Sequence, residues 1–159
     1  MELQALSERL GDRLLARRLM VVTAESCTGG WVAQTITATA GCSQWFERGF
    51  VTYSNTAKME MLGVQAATLE RHGAVSEATV REMAEGALSH SRAQVAVAVS
   101  GIAGPGGGSL DKPVGTVCLA WAGSGFTTLA RRDHFLGNRE TVRRLAVAAA
   151  LQGILDFLR

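Results

Sequence analysis

A strand, a polar turn and a helix follow one another in Leu19-Met20-Val21-Val22-Thr23-Ala24-Glu25-Ser26-Cys27-Thr28-Gly29-Gly30-Trp31-Val32-Ala33-Gln34-Thr35-Ile36. The apolar run favours a buried strand over 19–24, and the helical pattern extends from about 29 to 39. The turn holds two potential nucleophiles, Ser26 and Cys27. A helix N-terminus at this place attracts negative charge, from a phosphate or from a developing oxyanion. The turn is therefore a catalytic turn, a phosphate cradle or simply a tight connection.

The composition indicates one globular domain spanning 1–159, since 47% of the 159 residues are hydrophobic and 19% are charged. A net charge of +2 without a run of Lys or Arg gives no reason to expect nucleic acid as a partner. The charged N-terminus lacks the pattern of a signal peptide, and no apolar stretch reaches the ~18 residues that span a bilayer. We therefore expect no membrane partner. Three cysteines without metal-ligand spacing favour a reduced, cytoplasmic protein.

Helices and strands alternate along the chain, which predicts a layered α/β domain on a mixed sheet. We predict helices over 2–18, 55–62, 66–72, 77–91 and 139–158, and strands in the second half of 45–53 and over 94–100, 114–121 and 126–135. Residues 122–125 would join the last two strands as an antiparallel hairpin. Ser54, Ser76 and Asn138 are the expected helix N-caps.

A serine nucleophile needs a neighbouring base, and the sequence favours a lysine. A lysine serves as a base when burial and its neighbours lower its pKa. The chain has two lysines, Lys58 and Lys112. Lys58 falls near the start of a predicted helix, where the helix dipole disfavours a charged ammonium. The histidines lie at helix ends or on a strand, and we interpret them as structural or surface residues: His72, His90 and His134.

Two alternatives stay open for this group of residues. The segment Tyr53–Lys58 is also compatible with a strand-to-helix turn that carries a surface lysine. Glu25, Cys27 and Lys58 also supply the residue types of a Glu-Lys-Cys amidase, in which a thiolate attacks. Strand alternation puts Glu25 and Cys27 on one side and Ser26 on the other, so only one nucleophile can face Lys58.

Two further segments are candidate binding elements. A glycine-dense loop over 101–113 follows a predicted buried strand, and its backbone N–H groups can approach a ligand closely. The alternative is a mobile surface loop. Arg139 and Arg143 share one face at the start of the last helix, where cations oppose the helix dipole and suggest a bound anion such as a phosphate. A solvated surface with acidic neighbours is the alternative there.

Four segments in a specific order and spacing resemble the CinA C-terminal domain family, and Gly73–Ser76 also fits. They are Thr23–Gly30, Gly49–Asn55 continuing to Lys58, Val99–Pro105 with Lys112–Val117, and Gly137–Arg139 with Val142–Arg143. The resemblance runs from about residue 5 to the end of the chain.

The resemblance implies a three-layer α/β/α sandwich on a mixed, mostly parallel sheet, assembled as a homodimer or a larger homo-oligomer. It also implies hydrolysis of nicotinamide mononucleotide to nicotinate mononucleotide and ammonia, without a cofactor. The family's catalytic serine, lysine and tyrosine match Ser26, Lys58 and Tyr53. We expect Lys58 to take the serine proton directly or through Tyr53, which alternatively only positions Ser26. The larger N-terminal domain of full-length CinA proteins is not expected here.

The assignment of the oxyanion-binding and phosphate-binding residues is our own inference within this resemblance. The oxyanion would be bound by backbone N–H groups near Thr28, Gly29 and Gly30. The phosphate would lie on Arg139, Arg143 or the glycine loop, with Gly101, Gly104 and Gly106 as its candidate contacts. A non-catalytic module that binds a nucleotide remains the third possibility.

Overall fold

The computed structural model describes residues 2–159, so that Met1, the first residue of the predicted domain, lies outside them. The helices are α1 (Leu3–Arg17), α2 (Trp31–Thr37), α3 (Asn55–Leu62), α4 (Ala66–His72), α5 (Glu77–Ser89) and α6 (Arg139–Phe157). The strands are β1 (Val21–Glu25), β2 (Phe46–Val51), β3 (Val95–Gly101), β4 (Thr116–Gly123) and β5 (Leu129–His134). Within the described part, no helix has both the length and the apolar character needed to cross a membrane.

The five strands form one mixed sheet in the order β2-β1-β3-β4-β5. β1 pairs in parallel with β2 and with β3, whereas β4 is antiparallel to both β3 and β5. Four strands therefore run in one direction and β4 opposes them, as predicted for a mixed, mostly parallel sheet. The hairpin is confirmed, although its connection spans 124–128 rather than 122–125.

Helices cover both faces of the sheet, which confirms the three-layer α/β/α arrangement. One core lies under α1, α2 and α6 and receives Val95, Val97 and Val99 of β3. The other lies under α3, α4 and α5 and receives Ala96 and Ala98. Alternate residues of the central strand thus enter opposite cores, as the pleat of a β-strand requires.

Hydrogen bonds confirm the three predicted helix caps. The side chains of Ser54, Ser76 and Asn138 accept from the third residue of α3, α5 and α6. Several predicted boundaries were wrong by about two residues, among them the starts of β1 and α2. The N–H of Leu19 donates to Leu14 O and closes α1, so β1 begins later than residue 19. Gly30 has φ 106°, a left-handed conformation outside a helix, so α2 begins only at residue 31.

The connections that follow β1 and β3 lead to opposite edges of the sheet. From β1 it passes through α2 to β2 on one side, and from β3 it continues to β4 on the other. A crevice forms at the carboxyl ends of adjacent parallel strands at such a switch point. The turn 26–30 and the glycine-rich loop both begin there.

Candidate active site

Ser26 directly follows β1, and its backbone N–H donates to Val99 O across a distance of 3.0 Å. Its side chain continues the β1 face that carries Val22 and Ala24, whose side chains lie in the core under α5. That face is also the one covered by α3. The Ser26 hydroxyl is consequently buried beside the amine of Lys58.

Lys58 reaches Ser26 because of the way α3 begins. The Ser54 cap starts the helix directly after the extended residues Thr52 and Tyr53, so Lys58 falls in the first turns and points back to the end of the sheet. Its amine lies 3.0 Å from each of three atoms, namely Ser26 Oγ, Thr52 O and Tyr53 O. The residue is only 1% exposed, and burial lowers the pKa of the amine from its ordinary value.

The three neighbours of the amine are compatible with a neutral lysine, which burial favours. A neutral amine has two N–H donors and one lone pair. The carbonyls of Thr52 and Tyr53 can accept both N–H groups, which leaves the lone pair for the hydroxyl proton of Ser26. The arrangement can therefore remove a proton from Ser26, the step that activates a serine nucleophile.

Tyr53 contributes to this pair through its backbone. Its carbonyl lies 3.0 Å from Lys58 Nζ and 3.3 Å from Ser26 Oγ, while the residue as a whole is 64% exposed. The geometry thus favours positioning of Ser26 by the carbonyl of Tyr53 over a proton relay through its phenol.

Cys27 lies on the other side of the turn and packs in the core under α1, α2 and α6. Burial raises the pKa of its thiol to about 11, so a thiolate is disfavoured at neutral pH. Glu25, the carboxylate of the Glu-Lys-Cys alternative, is engaged elsewhere. The structure therefore brings Ser26 to Lys58 and gives the cysteine alternative no support.

The Glu25 carboxylate binds the start of α2. It accepts from the N–H groups of Gly30, Val32 and Ala33 and from the Thr28 hydroxyl at 2.6–3.1 Å. Glu25 is 1% exposed, and its charge interacts favourably with the positive end of the helix. Sequence reasoning missed this role, although a carboxylate just before a helix N-terminus is a recognisable signal for it.

This network bears on the predicted oxyanion donors. The Gly30 N–H donates to Glu25, and the Gly29 N–H donates to Ser26 O at 3.1 Å. Both N–H groups are occupied by the turn itself, so this hydrogen bonding does not favour Gly29 and Gly30 as oxyanion donors, and that role stays a prediction. Their positive φ angles, 60° and 106°, explain why glycine stands at these positions.

Arg143 also differs from its predicted role. Its guanidinium donates to Cys27 O at 3.0 Å and to Thr28 O at 3.2 Å, and it stacks on the Trp31 ring at 5.4 Å from the centroid. These contacts fix the backbone of the turn. They leave Arg143 outside the cavity wall, so it is not positioned to bind a phosphate there.

A cavity of about 270 Å³ opens over Ser26 and Lys58. The predicted contacts Gly101, Gly104 and Gly106 line it, and Arg139 stands at its wall with Nη1 2.8 Å from Gly104 O. The other lining residues are Cys27, Tyr53, Ala74, Val75, Ser100, Ile102, Ala103 and Gly107. Arg139 is the arginine of this wall, and its guanidinium is the group that suits an anionic ligand.

The glycines of the loop differ in what requires them. A side chain at Gly101 would meet Val117 Cγ2 at 2.8 Å and Cys27 Sγ at 3.2 Å, so packing alone explains this glycine. A side chain at Gly106 would meet nothing within 4 Å of the described chain. Gly106 therefore borders open space in the cavity, and packing does not require a glycine there.

Sequence reasoning gave no site role to Ser100 or to the segment Ala74–Val75, which also line the cavity, although both lie in segments that carry the resemblance. Ser100 ends an apolar strand as Ser26 does, and this parallel was an available signal. The histidines lie outside the cavity wall: His134 bonds Val114 O, His90 bonds Gly86 O, and the carbonyl of His72 accepts from Lys112. Within residues 2–159, no three His, Cys, Asp or Glu side chains converge as metal ligands.

Known proteins resemble this chain over nearly its full length. The nicotinamide-nucleotide amidohydrolase PncC of Escherichia coli is 60% identical over 95% of this chain and 92% of its own length. The protein of the same name from Pseudomonas putida is 52% identical over 96% and 94%. The crystal structure of the competence/damage inducible protein CihA from Agrobacterium tumefaciens superposes with a TM-score of 0.97, at 46% identity, over 99% of this chain and 96% of that one.

The family model of the CinA C-terminal domain matches residues 3–158, which include the turn, the lysine helix, the glycine loop and the start of α6. This chain belongs to the CinA C-terminal domain family.

Proposed function

We propose that this protein hydrolyses the carboxamide of nicotinamide mononucleotide to nicotinate mononucleotide and ammonia. The observation that carries the proposal is the buried Lys58 amine, 3.0 Å from the Ser26 hydroxyl, at the base of a cavity that ends at Arg139. The names of the relatives that are 52% and 60% identical support the substrate.

In the first step, neutral Lys58 accepts the proton of Ser26 while the serine oxygen attacks the carboxamide carbon. A tetrahedral oxyanion forms, and it needs N–H donors aimed at it. With the amides of Gly29 and Gly30 occupied, we assign this role to the N–H groups of Cys27 and Thr28. The residue after the nucleophile is a common source of such a donor.

Collapse of the tetrahedral intermediate releases ammonia and leaves an ester on Ser26. Water then attacks this ester, with Lys58 as its base, and the Ser26 hydroxyl is restored. The Tyr53 carbonyl contacts both side chains and holds them next to each other through both steps.

Arg139 is our candidate for the phosphate of the substrate. One guanidinium nitrogen holds the loop at Gly104 O, and other N–H groups stay available, since a guanidinium has five donors. Arg143 serves the turn instead, through Cys27 and Thr28. A nucleotide would lie with its pyridine ring over Ser26 and its phosphate at the start of α6.

We further propose that residues 1–159 act as one domain, in the cytoplasm, as a homodimer or a larger homo-oligomer. The match of the family model to 3–158 supports the single domain. Free thiols at Cys27, Cys42 and Cys118 are compatible with a reducing compartment. The exposed apolar side chains of Val51 and Tyr53, on the edge strand β2 and just after it, are candidates for contact with a second copy.

Ammonia release by the purified protein from nicotinamide mononucleotide, nicotinamide riboside and nicotinamide tests the activity. We expect release from the mononucleotide and much less from the compounds without phosphate. Tight binding of the mononucleotide without ammonia would instead support a non-catalytic module.

A further inference from the structure

Ser100 lies beside Ser26 at the carboxyl end of the neighbouring strand. β1 and β3 are parallel, and their register pairs Thr23 with Val97 and Glu25 with Val99. The hydrogen bond from the Ser26 N–H to Val99 O continues this pairing past the end of β1. The next position on each strand therefore holds a serine, Ser26 on one and Ser100 on the other.

The two serines face the same side of the sheet. Ala96 and Ala98 of β3 enter the core under α5, and alternation places Ser100 on that face too. Ser100 is 1% exposed and lines the same cavity as Ser26 and Lys58. Apolar residues precede it on this face, so its hydroxyl is the polar side-chain group of β3 at the cavity, where a substrate group can form a hydrogen bond with it.

Amide hydrolysis needs a second proton transfer, from the protonated base to the leaving nitrogen. After the attack, the proton of Ser26 is on Lys58, which is held between Thr52 O and Tyr53 O. The nitrogen of the carboxamide must gain that proton before it can leave as ammonia. A hydroxyl next to Ser26, on the same face as Lys58, is placed for this transfer.

We propose that Ser100 is a further catalytic residue, whose hydroxyl binds the carboxamide nitrogen and passes it the proton held by Lys58; this inference rests on the proposed function. Ser100 gives its hydroxyl proton to the nitrogen and takes one from Lys58, which becomes neutral. The C–N bond breaks, its electron pair stays with the nitrogen, and the carbonyl reforms as the Ser26 ester. The charges and protons balance without another reactant.

The test compares two leaving groups in Ser100→Ala. Nicotinamide mononucleotide must release ammonia, whereas the phenyl ester of nicotinate mononucleotide releases phenolate, which leaves without a proton. We expect kcat for the amide to fall about 100-fold, the lower end of the range for general acid catalysis, and kcat for the ester to change less than about threefold. Ser124→Ala, in the exposed β4–β5 turn, is the control, and both rates should stay at wild-type values.

Ser100→Thr keeps a hydroxyl, and we expect it to recover amide hydrolysis at least tenfold over Ser100→Ala. A thermal unfolding curve for each variant identifies a loss of folding, which would lower both rates together. Equal losses for amide and ester in a folded Ser100→Ala would overturn the relay. Wild-type amide hydrolysis by Ser100→Ala would also overturn it while leaving the proposed function intact. A wild-type protein that releases no ammonia would overturn both.

Discussion

The amine of Lys58 lies 3.0 Å from the hydroxyl of Ser26, with its other two hydrogen-bonding directions taken by Thr52 O and Tyr53 O. The side chain that would carry a charge is therefore buried among two carbonyls and a hydroxyl, without a carboxylate. Burial of the amine lowers the pKa of Lys58 and so favours its neutral form.

The first expectation concerns the nucleophile. Ser26→Ala should lower kcat by at least about 10³-fold, the scale seen when a serine nucleophile is removed. Cys27→Ala should retain activity, because the thiol is buried and its pKa of about 11 keeps it protonated. Ammonia release by the two purified variants decides between them. An active Ser26→Ala with an inactive Cys27→Ala would contradict the serine mechanism.

The second expectation concerns the pH dependence of the rate. Lys58 acts as a base only when neutral, so kcat/KM should rise with pH through its lowered pKa and then level off. The measurement is ammonia release across mildly acidic to alkaline pH. A rate that stays flat over this range would argue against neutral Lys58 as the base.

The same pKa shift makes stability depend on pH. The unfolded chain keeps the lysine proton up to the ordinary pKa of 10.5, whereas the folded chain loses it at lower pH. Between these two pKa values the unfolded state binds more protons, so wild-type stability should fall as pH falls, by up to about 1.4 kcal/mol per pH unit. Denaturant unfolding of the wild type and Lys58→Met at several pH values checks this. The same pH slope in both proteins would contradict the shift.

Arg139 and Arg143 lie one helical turn apart, yet we expect their substitutions to change different kinetic constants. Arg139→Ala should raise KM for the mononucleotide about tenfold, equivalent to the loss of one charge-assisted hydrogen bond of about 1.4 kcal/mol. The activity toward nicotinamide riboside, which has no phosphate, should change much less, because only the hydrogen bond to Gly104 O is lost there. An equal change for both compounds would place the phosphate elsewhere.

Arg143→Lys should instead lower kcat and the unfolding temperature and leave KM nearly unchanged. Lysine keeps the charge but cannot bind Cys27 O and Thr28 O together while it stacks on Trp31. The turn carrying Ser26 would lose its fixed backbone. Steady-state kinetics with a thermal melt check this, and a rise in KM with unchanged kcat would return Arg143 to substrate binding.

Much of the fold was predictable because its signals are local. Capping side chains at Ser54, Ser76 and Asn138 and the apolar runs of β1 and β3 depend on neighbours in sequence, and the structure confirms them. The lowered pKa of Lys58 could also be predicted from the sequence, because the position of Lys58 near the start of α3 follows from the Ser54 cap.

The remaining details depend on contacts between distant segments. Arg143 reaches Cys27 across 116 positions of sequence, and no local pattern reveals that its donors are used there. The Glu25 carboxylate occupies the N–H groups that looked available at Gly30, since glycines alone do not tell which acceptor fills a turn. The sequence shows that Ser100 ends an apolar strand as Ser26 does, but the strand register is needed to set the two serines side by side.

Ammonia release from nicotinamide mononucleotide by the wild type, Ser26→Ala and Lys58→Met, each shown to be folded by thermal unfolding, tests the central claim most directly. We expect rapid release by the wild type and a loss of at least about 10³-fold in both variants, because the nucleophile and its base act as one unit. Near-wild-type release by a folded Lys58→Met would contradict the account.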